Sequence, residues 1–459
     1  MTDSFLASDA FLQWTKTELG GDFRSTSRVA VFSDCLTLIE TDNRMHTAKA
    51  ARLAGSTALA SLGLPCADDD ELGLATFLPS TALNNLTGVT HQALRTWSIP
   101  ERHLLNHFLQ SVSRALVVVE DKLNPFLCVI VPMALENSMI RHSLTALSAC
   151  HLSKAYPDFE RDLNTHRGIA LDKLMAELED LDDPVWALAS TLLLCLVEIC
   201  VGNSKKWVLH LHGAKALLDR TNSHTIEPPV SILIEIYNYL TCITSITSNQ
   251  TPARFGKHLK VRSETVLAPD GLTHPLFGVS VDLYESLACV NGLGMHGNNA
   301  SNQDTTDVSK EIELSLQSWE PPKSSDECRS LVEARALGFA LQWATNMHLQ
   351  QVTRGLASNA PQIKKASDNI LSALSLIRPG SEMEAHMLFP LFMAGVGSMT
   401  KPNRLTVEYR LDIMEATIGF GNISVAHKLL DELWRRSNQG ETVTWQYLIT
   451  TTYKGLVLC

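Results

Sequence analysis

From Glu101 to the C-terminus, one segment after another places apolar residues three and four positions apart, and this spacing constrains the fold more than any other feature of the chain. A helix turns once in ~3.6 residues, so such spacing gathers apolar side chains into a stripe that must be buried against a neighbour. His103–Leu116, Ser138–Lys154, Arg161–Glu179, Val185–Val201, Trp207–Arg220 and Val230–Thr247 carry the pattern first. Val281–Leu293, Lys310–Trp319, Ser330–Gln351, Gln362–Leu376, Met383–Met399, Val407–Gly419 and Ser424–Ser437 continue it. Breaks fall where the backbone demands them: at Asn124-Pro125-Phe126, at Asp182-Asp183-Pro184, at Pro228-Pro229 and in the Asn- and Gly-rich stretch Gly297–Asp307, which reads as a surface loop. Alternation suited to strands is nearly absent, and no repeat of fixed length emerges. The expected fold class is all-α, a large multi-helix domain over residues 101–459.

Residues 1–100 differ. Thr41–Leu62 reads as one helix, ended by Gly63-Leu64-Pro65, and Pro65–Pro100 reads mostly as linker. At 45% hydrophobic and 19% charged residues, the whole is globular in composition rather than disordered. Its formal net charge of −11 works against a phosphate-binding face, which needs clustered Lys and Arg to displace counterions. The longest apolar stretch, Leu192–Val201, contains Glu198 and is too short to cross a bilayer, so no membrane span is expected. The 10 cysteines stand singly, without any C-x2-C pair, and only Cys35 and Cys66 fall in the first hundred residues. Two distant thiols do not make a six-cysteine zinc cluster, so direct DNA binding by such a cluster is not expected.

Gly292-Leu293-Gly294-Met295-His296-Gly297 matches a dinucleotide fingerprint literally, but a helical pattern precedes it where that motif requires a strand. His210 and His212 diverge by ~200° on a helix and do not grip one metal. Glu198 lies in the most apolar helix, where a carboxylate has a raised pKa or pairs with a base such as a histidine or arginine. His142, His151 and His166, on nearby helices, are the expected partners. No motif for a hydrolase, metalloprotease or phosphate loop appears, and no cofactor or metal is implied.

Four groups of segments resemble a known family. They are Leu104–Leu109 with Asn124-Pro125-Phe126 and Ser143–Leu152; Leu192–Cys200 with Trp207–Ala214; His274–Gly278 with Leu316–Pro322; and Leu388–Gly395 with Gly419–Ile423 and Leu430–Trp434. Their order and spacing are similar to the fungal-specific transcription factor domain, in the subfamily that includes sterol-uptake regulators. The resemblance implies an all-helical regulatory domain, often a homodimer, whose interior holds a hydrophobic small molecule such as a sterol. It also implies a nuclear protein, and members often govern secondary-metabolite gene clusters.

Polar contacts to such a ligand are expected from Glu198, His210 and Trp207. Without a zinc cluster, the chain is expected to act through other transcription factors or co-regulators. Two alternatives stand beside this reading. One is an enzyme that cyclises or isomerises a hydrophobic substrate, with Glu198 and a histidine as acid and base. The other is a zinc-cluster factor whose upstream exon is missing from the sequence.

Overall fold

The computed structural model describes residues 94, 96–118, 124–179, 183–221, 228–248, 274, 276–278, 280–296, 302–321 and 329–458. The expected helix Thr41–Leu62 and most of the expected linker lie outside them. The described residues form helices and connecting turns, with one isolated antiparallel bridge between His274 and Gly278. One apolar core runs from Trp97 to Leu458.

Helix α1 (Ile99–His107) starts inside the expected linker. Pro100 occupies its first turn, where no N–H partner is needed, and Ser98 with Glu101 closes a capping box around the end. A π-helical turn, Phe108–Val112, extends it. The break at Asn124 is held from inside the core: its Nδ2 donates to the Ser113 carbonyl at 2.9 Å, and its Oδ1 accepts from the Phe126 N–H. Then follow α2 (Val131–Glu136), α3 (Ser138–Ala155), α4 (Phe159–Glu179), α5 (Pro184–Val201), α6 (Trp207–Leu218) and α7 (Pro228–Ser245).

Helix α5 is the hub of this half and packs against α3, α4, α6 and α7. Asp183 caps its N-terminus through the Val185 N–H, and Gly202 ends it with φ 98°. Every residue from Ala187 to Cys200 is buried, and each leucine among them contributes about 1.5–3 kcal/mol by leaving water. The helix is longer than the Leu192–Val201 stretch suggests. Its 18 residues have a mean hydropathy of 2.1, enough by length and composition to span a bilayer, but 78% of them are buried inside the protein. Its greasy surface is covered by its own neighbours.

The second half comprises α8 (Val281–His296), α9 (Asn302–Ser318), α10 (Arg329–Arg354), α11 (Pro361–Leu374), a 3-10 turn (Glu382–His386), α12 (Leu388–Gly397), α13 (Lys401–Thr417), α14 (Gly421–Asn438) and α15 (Trp445–Thr451). Two expectations need correction, and one helix was not expected. The polar run that reads as a loop up to Asp307 is helical from Asn302, because the first turns of α9 carry no apolar residue for periodicity to register. The expected helix Met383–Met399 is two elements, since Pro390 lacks an N–H and fits only the first turn of a new helix. Helix α15 is too short to show a period; Thr444 caps it through the Tyr447 N–H. Helix α12 is the hub here, packing on α10, α11, α13 and α14, and α14 also touches α5, so both halves share one core.

Candidate functional site

Glu198 sits on the last full turn of α5, 1% exposed. Its partner is Arg167 of α4, whose Nη1 donates to Oε1 at 3.1 Å; the other oxygen accepts from the Ser204 hydroxyl. Arg167 Nη2 in turn donates to Asn164 Oδ1 at 2.9 Å. Burial pushes the Glu198 pKa up, but the charges of Arg167 and Lys206 and the Ser204 hydrogen bond outweigh it, so the pKa falls below the usual value and the carboxylate stays ionised.

The expected histidine partners go elsewhere. His142 Nδ1 lies 2.9 Å from His166 Nδ1, and His151 Nδ1 lies 2.9 Å from His107 Nε2. A signal for Arg167 was present: it stands on the buried stripe of α4 with Leu163, Ala170 and Leu174. A guanidinium placed there needs a buried carboxylate, and its planar fork suits one better than an imidazole does.

The structure brings Glu198, His210 and Trp207 to one place, the loop between α5 and α6. Trp207 and His210 are one turn apart on α6, and Trp207 Nε1 donates to the Gly455 carbonyl at 3.1 Å. His210 is pushed by burial to a pKa of about 4, partly opposed by Glu198, so it is neutral at neutral pH; its Nδ1 is buried without a hydrogen-bond partner. The loop is also gripped from outside. A Cβ on Gly202 would lie 2.5 Å from the Gly421 backbone carbon of α14, and one on Gly455 would lie 2.7 Å from the Ser204 carbonyl.

A second polar cluster, which sequence reasoning missed, surrounds His386. The Tyr284 and Tyr239 hydroxyls approach its Nδ1 at 3.0 and 3.2 Å, with Phe277 edge-on to both tyrosine rings. With Nδ1 accepting, the ring proton sits on Nε2, which is buried without a partner. His386, Tyr284 and Leu341 line two cavities, one towards Gly338 and Ser280 and one towards Ile246 and Phe389. Each has room for about one water-sized group. Glu198, His210 and Trp207 line neither.

Gly292 to His296 form the end of α8, so the fingerprint-like sequence is helix where a dinucleotide motif needs a strand and a turn.

No curated protein and no solved structure matches the chain. The model of the fungal specific transcription factor domain matches residues 103–458, which takes in both hub helices, the Glu198 network and the His386 cluster. The chain therefore belongs to the fungal specific transcription factor domain family, and its role is that of a transcription regulator.

Proposed function

We propose that this regulator acts in the nucleus through other transcription factors or co-regulators, with its helical body as the regulatory domain. The observation that carries this reading is the family match over 103–458, joined to a first hundred residues with two isolated cysteines and to a net charge of −11. In this reading DNA contact is supplied by a partner, and the genes controlled are those of a secondary-metabolite cluster. Glu198 and Trp207 then serve as a clamp on the α5–α6 loop, because both Glu198 oxygens and the Trp207 N–H are already engaged, while His210 beside them keeps an unpartnered Nδ1. A hydrophobic effector with one hydrogen-bond acceptor is better met by His386 Nε2, and its entry requires the helices around that ring to part.

Transcripts and metabolites compared between a deletion strain and its parent test the reading. Loss of a coherent set of pathway transcripts supports it. Intact transcripts with one accumulated intermediate would point instead to an enzyme. A gel-shift experiment tests the partner requirement: purified full chain should leave promoter DNA unshifted at physiological salt, and an unaided shift would refute that part.

A further inference from the structure

Two histidine pairs lie along α3, and only one is explained by packing. His151 Nε2 bonds the Ile418 carbonyl at 2.8 Å while its Nδ1 meets His107 Nε2 at 2.9 Å, a chain that fixes each proton and ties α1 and α3 to the end of α13. The other pair turns Nδ1 to Nδ1, His142 of α3 against His166 of α4, with Glu101 Oε1 of α1 3.8 Å from the His142 Nδ1. All three residues are buried, and their ligand atoms lie within 4.8 Å of one another. We propose that Glu101, His142 and His166 form a divalent transition-metal site, with Zn2+ as the ion this ligand set fits best.

Two imidazole nitrogens and one carboxylate oxygen are a known three-ligand set for zinc, leaving a fourth position for water. Zinc–ligand bonds of about 2.0–2.1 Å place tetrahedral ligands ~3.4 Å apart. The two separations from His142, 2.9 and 3.8 Å, straddle that value, and the third pair, Glu101 and His166, lies within 4.8 Å, so side-chain movements of up to about 1.4 Å close the site. The carboxylate is already aimed: Glu101 Oε2 accepts from the Ser98 N–H at 2.7 Å and its hydroxyl at 2.8 Å, which leaves Oε1 for the ion. Burial holds both imidazoles neutral, His142 at about 4 and His166 below its ordinary value. The proton shared between the two Nδ1 atoms moves to the far nitrogen of its own ring on binding, so the net charge of the pair is unchanged.

Other charges face the cluster. Arg141 Nε lies 3.5 Å from Glu101 Oε1, its guanidinium resting over the Trp97 ring, and Lys173 adds a second positive charge. Asp162, one turn before His166, adds a negative one. The guanidinium opposes a cation and holds the expected affinity to about micromolar, below that of a four-ligand structural site.

The test uses purified full-length protein stripped with a chelator and titrated with ZnCl2 by calorimetry, with circular dichroism to confirm folding. One equivalent should bind. E101Q keeps the capping box, since Gln serves at that position, but removes the ligand charge. E101Q and H166Q should each weaken binding by more than about tenfold. R141Q should tighten it by removing the repelling charge, an outcome that a purely structural role for these residues does not produce. No saturable equivalent, an affinity unchanged in E101Q and H166Q, or R141Q binding no tighter than the parent would each overturn the assignment. If H166Q fails to fold, E101Q and R141Q still decide, because they must move the affinity in opposite directions.

Discussion

Helices α5 and α12 face the same physical problem: each is the apolar hub of its half and must be fixed in register against several neighbours. Helix α5 solves it with a charge. Glu198 finds its guanidinium only when α4 presents the turn carrying Arg167, and the Ser190 hydroxyl meets that of Ser143 on α3 at 2.8 Å. Helix α12 has no charged residue and uses shape. Gly395 and Gly397 let neighbours come close, while the Ser367 hydroxyl donates to the Ala394 carbonyl at 2.7 Å and Trp434 Nε1 to the Gly395 carbonyl at 2.9 Å. A buried ion pair costs desolvation on both sides and gives one orientation in return; close packing costs nothing in solvation but tolerates an added atom only where the neighbour can move. Helix α14 meets both hubs, so failure on either side should reach the other.

Acid offers the largest perturbation, and it treats both halves alike. Burial lowers His107, His142 and His210 in the first half, and His274, His348 and His386 in the second, to pKa values of about 4. Between the ordinary value of about 6.5 and about 4, the unfolded chain binds these protons and the folded chain does not, so stability falls as pH falls through that window. At about 1.4 kcal/mol per pKa unit, each ring withdraws about 1 kcal/mol between pH 6.5 and 5.5, and six together rival the 5–15 kcal/mol of a typical domain. Glu198 has the opposite history: its depressed pKa contributes stability above the ordinary carboxylate value, lost only at lower pH still. Thermal melts from pH 7.5 to 5 should therefore drop steeply as a single transition. Two separated transitions would break the idea of a shared core, and a flat profile would show that these rings are not held neutral.

Arg167→Met places the defect in the first half. It strands the Glu198 carboxylate inside the protein, a loss of about 3–5 kcal/mol, and urea unfolding should shift its midpoint with little change in slope. Adding Glu198→Met should recover most of that loss, because an apolar pair of similar volume carries no desolvation cost. A single variant within about 1 kcal/mol of the parent would mean that the charge does not set the register of α5.

The contrast between these anchors also explains what could be read from the sequence. Helix α5 was legible as a helix, and α12 as an apolar helical run though not in its start at Leu388, since each is a run of apolar residues long enough to show its nature. Burial of Glu198 was legible as well, because leucine, valine and isoleucine flank it. Its partner was only half legible: His166 and Arg167 both stand on the buried stripe of α4, and which of them faces α5 depends on how α4 is rotated. The His386 cluster left no local trace: Tyr239 and Tyr284 reach it across 147 and 102 residues of chain, and only the closed fold brings them together. Glu101 was equally silent, a capping residue by spacing and a candidate ligand only once α3 and α4 lie beside it.

The two glycines of α12 give the smallest and sharpest test. Ala gains up to about 1 kcal/mol over Gly in a helix by propensity, so only contact decides the sign at each site. At Gly397 a new Cβ would lie 2.7 Å from Ser367 Cβ and 3.1 Å from the Ile363 carbonyl, atoms fixed to the α11 backbone. Gly397→Ala must push α11 away and should cost about 1–3 kcal/mol. At Gly395 the Cβ would lie 2.7 and 3.0 Å from Leu430 Cδ1 and Cδ2 and 3.3 Å from Val407 Cγ1, all side-chain ends rather than backbone. Moving them costs about as much as the propensity gain returns, so Gly395→Ala should fall within about 1 kcal/mol of the parent. Chemical denaturation of the two variants side by side distinguishes the cases. Equal losses would mean that Leu430, wholly buried on α14, is as rigid as backbone, and that shape fixes α12 on two sides rather than one.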